Sequence, residues 1–216
     1  WGLPLVARKS VLVPTAHDEP TIYLRIFRSV FNLPRHIIYL TTEERDFVHR
    51  QFRNQHIPWT VTGAGIDPPA QIDGTRFRRR FGLEYPYILY VGRITESKNC
   101  DELFEHFLRY KARNPSNLQL VLLGHAEMSI PQSNDIVYLG YVDEEDKLGA
   151  YKGAHVVVMP SHFESLSIVS LEAMSVGTPI LVSGHSDVLL GHCQKSNAGL
   201  YYTSAEEFAV ALSVSL

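Results

Sequence analysis

The chain has 216 residues, 45% hydrophobic and 20% charged, and carries a net charge of −3. That balance excludes the overall basic field that recruits nucleic acid or an anionic membrane, and no apolar run approaches the ~18 residues of a transmembrane helix. Two distant cysteines, Cys100 and Cys193, stand in no paired spacing, so no disulfide framework is expected and a reducing, cytoplasmic setting fits.

The length suits one domain plus part of another. The chain has no initiator methionine or signal peptide, starts at Trp1-Gly2-Leu3 and stops at Leu216 within a helical pattern. The expectation is a fragment cut at both ends.

In chain order, Val11–Val13 reads as a short buried strand, followed by the loop Pro14–Pro20. Pro20 suits a first helical turn, with Asp18 and Glu19 complementing the dipole of a helix to about Val30. His36–Leu40 is the next strand, and Thr41 with Glu44 forms a capping box for a helix to about Arg53. Ile57–Thr62 reads as a strand and Gly63–Pro69 as a linker, marked by its glycines and double proline. Asp73 then caps a short basic helix, Thr75–Phe81. Tyr87–Val91 is a strand, Asn99–Arg113 an amphipathic helix, and Leu118–Leu123 and Ile136–Leu139 are strands. Asp143 caps a helix to about Tyr151. The apolar run His155–Met159, the helix Ile168–Val176 closed by Gly177, and the run Pro179–Val182 make a βαβ unit with parallel strands. Leu200–Tyr202 and a Ser204-capped helix complete the pattern. Strands alternating with helices predict an α/β fold with a Rossmann-like doubly wound parallel sheet.

Ligands of such sheets bind beyond the carboxyl ends of the strands, near the topological switch point. The loops there are Gly92–Lys98, Gly124–Glu127, Gly140–Asp143 and Ser161–Ser167. Gly92 lets the backbone turn into Arg93, and Lys98 precedes the next helix; two cations there suit a diphosphate clamp, or are surface charges. The helix beginning near Leu166 should offer backbone N–H groups at its first turn. Glu164 and Glu172 stand at E-x7-E spacing. Glu172 has Ile168, Val169 and Val176 as helical neighbours, so its carboxylate lies along an apolar face. Burying it without donors costs several kcal/mol, on the order of an unpaired buried charge. Either the helix is short and Glu172 reaches solvent, or donors arrive with a ligand bearing paired hydroxyls.

The stretch 160–183, PSHFESLSIVSLEAMSVGTPILVS, resembles the E-x7-E region of retaining family 4 glycosyltransferases, which have the two-domain GT-B fold. Pro160, Ser161, Glu164, Leu171, Glu172, Ala173, Met174, Gly177 and Pro179 match its usual form; Ser165, Leu166 and Ser167 replace Gly-Phe-Gly. The VGRITESKN segment resembles the family's VGR…K element, and Gly63-Ala64-Gly65-Ile66-Asp67 its NGxD interdomain element. The resemblance implies that residues 1–70 end an amino-terminal, acceptor-side Rossmann-like domain, and that 71–216 form most of a donor-binding domain. It implies sugar transfer from a nucleotide diphosphate sugar to an unknown acceptor (glycan, lipid or small molecule), retaining and metal-independent, with no cofactor. Arg93 and Lys98 would hold the diphosphate, Glu164 the donor sugar and Glu172 the ribose hydroxyls. The loop with Leu166, Ser167 and Ile168 would supply N–H donors, and Gly92, Gly124, Tyr141 and Val142 complete the donor-binding set. His17, at a strand end in TAHDEP, would touch donor sugar or phosphate, or serve structure. With the rest of the amino-terminal domain as a missing partner, the piece alone is expected to be inactive.

Other readings remain. An epimerase or phosphorylase on this architecture is one, although no pyridoxal-phosphate lysine is identifiable, and a non-catalytic nucleotide-sugar-binding module is another. The run Arg76, Arg78, Arg79 and Arg80 reads as a solvated face, with peripheral contact to anionic lipid at the inner membrane face, or to an acceptor, as the alternative. The ten histidines contain no HxH or HExxH arrangement, and His185, His192 and Cys193 share one loop region without ordered metal spacing. A P-loop, a GxGxxG after a strand and a DxD motif are all lacking, which argues against ATPase, NAD-dependent and metal-dependent glycosyltransferase chemistries.

Overall fold

A computed structural model of the protein describes residues 2–67 and 71–216. The chain divides into two compact units. The first is Trp1–Gly65 together with Phe163–Ser167, and the second is Ile66–His162 with Ile168–Leu216. The division thus falls at Gly65/Ile66, and the loop carrying Glu164 groups with the first unit. Residues 68 and 69 of the expected linker lie outside the described residues.

The first unit opens with a four-residue helix, α1 (Leu3–Val6), that the sequence pattern does not announce. Its sheet is parallel, ordered β1 (Val11–Leu12), β2 (His36–Tyr39), β3 (Trp59–Val61). β1 and β3 are shorter than their apolar runs: Pro14 and Pro58 flank them without an N–H to extend the ladder. The helix expected from Pro20 to Val30 is two pieces, a 3-10 turn at Pro20–Tyr23 and α2 (Ile26–Asn32), with Leu24 extended between them. Asp18 and Glu19 accept the Tyr23 and Thr21 hydroxyls instead of capping backbone N–H groups, so the first turn does not propagate. In α3 (Thr42–Phe52), Thr41 Oγ1 accepts the Glu44 N–H at 3.1 Å. The Glu44 carboxylate, 1% exposed, takes the N–H groups of Ala16 (2.6 Å) and Leu40 (2.7 Å), tying the β1 loop to the end of β2.

The second unit holds a six-stranded, wholly parallel sheet. Its strands are β4 (Tyr87–Val91), β5 (Gln119–Leu123), β6 (Ile136–Gly140), β7 (Val157–Met159), β8 (Ile180–Ser183) and β9 (Gly199–Tyr202), in the order β6-β5-β4-β7-β8-β9. Alternate residues supply two cores. Ile88, Tyr90, Leu120 and Leu122 face α5 (Cys100–Arg113) and α9 (Ala205–Ser215). Tyr87, Leu89, Val121 and Leu123 join residues of α4 (Gly74–Arg80), α6 (Glu144–Gly153), α7 (Ile168–Ser175) and α8 (Asp187–Ser196). On α5, Leu103, Phe104 and Phe107 are at most 3% exposed, and each contributes roughly 1.5–3 kcal/mol by burial.

Asp73 accepts the N–H groups of Thr75 and Arg76 at the start of α4. α8 corrects the expected loop: Ser186 Oγ accepts the Leu189 N–H at 3.4 Å, and His192 and Cys193 lie within the helix. The signal was Ser186 directly before an acidic first turn. Among the described residues, no group of three or more His, Cys, Asp or Glu side chains is placed to hold a metal ion, and no helix is long and apolar enough to cross a membrane. Both cysteines are free and buried.

Candidate donor-binding site

The strand order sets the site. β4, β5 and β6 progress to one edge; the chain then returns to β7, beside β4, and proceeds through β8 to β9. The order reverses between β4 and β7, and in open parallel sheets the ligand crevice lies beyond the carboxyl ends of the strands at such a point. The loops leaving these two strands begin at Gly92 and Pro160.

After β4 the backbone turns at Gly92 (φ 149°), and Tyr90 Oη donates to the Arg93 carbonyl at 2.7 Å, fixing the turn. Arg93 projects into solvent, 3.7 Å from Glu127, on the loop that follows β5. The two loops run together beyond their strands, with Ile94 N–H bonded to the His125 carbonyl at 2.9 Å and Glu127 N–H to the Ile94 carbonyl at 3.0 Å. Their approach demands Gly124 (φ 129°), where a Cβ would meet the Gly92 carbonyl oxygen at 2.0 Å. Lys98 closes a 3-10 turn, Glu96–Lys98, and is half-buried. The loop after β6 leaves Tyr141 90% exposed, while Val142 packs on the core.

Glu172 departs from the solvent-exposed reading and has donors within the protein. Its side chain is 12% exposed, so it does not reach freely into solvent. Lys147 Nζ lies 2.9 Å from Oε1, and Tyr151 Oη donates to Oε2 at 2.8 Å. Both residues stand on α6, one helical turn apart, and neither was singled out from the sequence; their i, i+4 spacing on a helix neighbouring α7 in the chain was the available signal. Desolvation pulls the Lys147 pKa down, but hydrogen bonds to Glu172 and Glu144 outweigh it and the net direction is up. Burial first, and then Glu172, push the Tyr151 hydroxyl far above its ordinary range, so it stays a donor. A carboxylate has about four acceptor positions, and these two bonds use half of them.

Of the remaining expected residues, Ile168 belongs to the second unit, and His17, Glu164, Leu166 and Ser167 to the first. There Thr41 Oγ1 donates to the Ser165 carbonyl at 3.2 Å, and the Phe163 ring lies 6.1 Å from His17. His17 Nε2 is 3.3 Å from Glu19, while its Nδ1 is buried without a hydrogen-bond partner. Leu166 and Ser167 are buried and Glu164 half-buried; Ile168, the first residue of α7, is 53% exposed. Ser167 takes a left-handed conformation (φ 59°), the backbone that glycine adopts freely. A cavity of about 380 Å³ between α4 and α6 is lined by Ile72, Arg76, Phe77, Glu145 and Leu148 among others, and by no residue of the loops after β4, β5 or β7.

Residues 85–216 match the family model for glycosyl transferases group 1. The chain belongs to that family. Among curated relatives, an uncharacterized glycosyltransferase of Methanocaldococcus jannaschii is 36% identical over 118 residues, covering 50% of this chain and 30% of its own length. A D-inositol 3-phosphate glycosyltransferase of Stackebrandtia nassauensis is 26% identical and covers 89% of this chain and 53% of its own length. The chain thus spans about half or less of these relatives. Among solved structures, HepE of Anabaena in complex with UDP matches with a TM-score of 0.79 and 16% identity, over 98% of this chain and 64% of that one. The fold is the Rossmann-like fold of GT-B glycosyltransferases.

Proposed function

We propose that this protein acts in a retaining, family 4 glycosyltransferase, moving a sugar from a nucleotide diphosphate sugar to an acceptor without a metal ion. The observation that carries the reading is the pair Arg93 and Lys98 on the loop leaving β4, at the point where the strand order reverses. A solved neighbour, HepE, binds UDP, which supports a nucleotide donor.

On this reading Arg93, Lys98 and the first turn of α7 take up charge as the diphosphate departs. Charge-assisted hydrogen bonds contribute about 1.5–3 kcal/mol each, part of a typical ~8–23 kcal/mol barrier reduction. Glu172, which Lys147 and Tyr151 already meet from the protein side, accepts ribose hydroxyls with its remaining acceptor positions. Glu164 accepts hydroxyls of the donor sugar, and His17 meets sugar or phosphate. Tyr141 offers an exposed aromatic face at the end of β6, suited to the base. Acceptor placement and exclusion of water contribute the rest of the barrier reduction.

A thermal-shift panel of UDP-, GDP- and ADP-sugars tests the reading. Stabilisation by at least one donor, retained in excess EDTA, is the expected result; no response to any of them overturns it.

A further inference from the structure

Asn99 stands at the N-terminus of α5 in a left-handed conformation (φ 55°), yet its side chain does not cap that helix. Instead Oδ1 accepts the backbone N–H of His162 at 3.1 Å. One turn on, Glu102 Oε2 lies 3.1 Å from His162 Nε2, a nitrogen shielded from solvent and without an aligned hydrogen bond. The other Glu102 oxygen lies 3.9 Å from His106 Nδ1. Beyond the imidazole, the His185 ring, on the loop after β8, is centred 4.7 Å away.

These contacts join the two segments that border the crevice. Asn99 and Glu102 follow β4; His162 follows β7. The peptide N–H of His162 donating to Asn99, and a carboxylate of α5 against the ring of the same residue, hold Ser161-His162 in place from two directions. Ser161 is fully buried and its Oγ has no partner, so little else on that dipeptide's side chains fixes it.

We infer that Asn99 and Glu102 are positioning residues that clamp the start of the β7 loop through His162, setting the width of the crevice for the donor's diphosphate. The inference rests on the donor-binding reading above.

The test has two arms. Amide exchange of the peptide covering Ser161 and His162 is measured without ligand in wild type, Asn99→Gly and Asn99→Asp. Glycine keeps the left-handed backbone and removes the acceptor; aspartate keeps both. Faster exchange in the glycine variant, restored by aspartate, is expected. The second arm is calorimetry with UDP, GDP and ADP. Asn99→Gly and Glu102→Ala should each weaken the nucleotide that binds by roughly three- to tenfold, the scale of one hydrogen bond. Glu102→Ala combined with His162→Ala should lose no more than either alone, because both remove the same contact. Unchanged exchange in Asn99→Gly, unchanged affinity, or additive losses in the double variant each overturn the clamp. Wild type that binds none of the three nucleotides overturns the donor reading itself, and the clamp's role with it.

Discussion

Lys147 Nζ lies 2.9 Å from Glu172 Oε1, so the carboxylate that α7 sets against apolar neighbours is met by a cation from α6. Lys147→Met removes that cation and leaves Tyr151 as the donor that remains in place. Breaking a fully buried pair costs about 3–5 kcal/mol; with Lys147 22% exposed, solvent reduces this to about 1–3 kcal/mol, readable by urea denaturation. Because the Lys147 pKa is raised in the folded state, its contribution is fully present below the unfolded value of 10.5 and fades as pH rises through the higher folded one. Equal stability of wild type and Lys147→Met at pH 7 would show that the pair contributes nothing.

The loop cations give a second prediction. Arg93→Ala or Lys98→Ala should weaken nucleoside diphosphate binding by roughly 1.5–3 kcal/mol and bare nucleoside binding much less. Equal losses for both ligands in calorimetry would place these side chains away from the diphosphate.

The two glutamates should separate by ligand. Glu172→Gln is expected to weaken nucleoside diphosphate and nucleotide sugar alike, since both contain the ribose. Glu164→Gln is expected to leave the diphosphate within error and weaken the intact donor by about 1–3 kcal/mol. If Glu164→Gln weakens the bare diphosphate as much as Glu172→Gln does, the assignment of sugar to one and ribose to the other is wrong.

Gly124→Ala places a methyl group 2.0 Å from the Gly92 carbonyl oxygen, and backbone cannot yield as a flexible side chain does. A loss of at least roughly 1–3 kcal/mol is expected from the overpacking, together with weaker nucleotide binding because the β4 loop must shift. A variant that melts with wild type and binds equally well would show the loops to be free to separate.

Acid should destabilise the protein through the buried His106 and the half-buried His49. Burial holds the His106 and His49 pKa values below 6.5, although Glu102 pulls His106 the other way. Well above 6.5 both rings are neutral in either state; as pH falls through it, the unfolded chain takes up protons first and stability drops. His106→Phe should flatten the fall in Tm between pH 7.5 and 5.5. An unchanged slope would remove His106 from the account.

Local pattern determined most of the second unit. The strand Tyr87–Val91 and the Asp73, Asp143 and Ser204 caps are visible because each rests on the period of side chains or on one residue beside a helix start. The parallel α/β class followed from alternation, and so did the place of Arg93 and Lys98 on a loop after a strand; the roles proposed for them and for the two glutamates come from the family resemblance. Tertiary structure alone decided which strands are neighbours, because parallel strands meet through long crossovers whose order no local preference encodes. For the same reason it decided the partners of Glu172. Lys147 and Tyr151 lie 25 and 21 residues away in the chain, and only packing of α6 against α7 supplies the donors that an apolar helical face had seemed to lack. The hold of Asn99 on His162, across 63 residues, is of the same kind: a capping position read locally as a helix start spends its side chain on another loop.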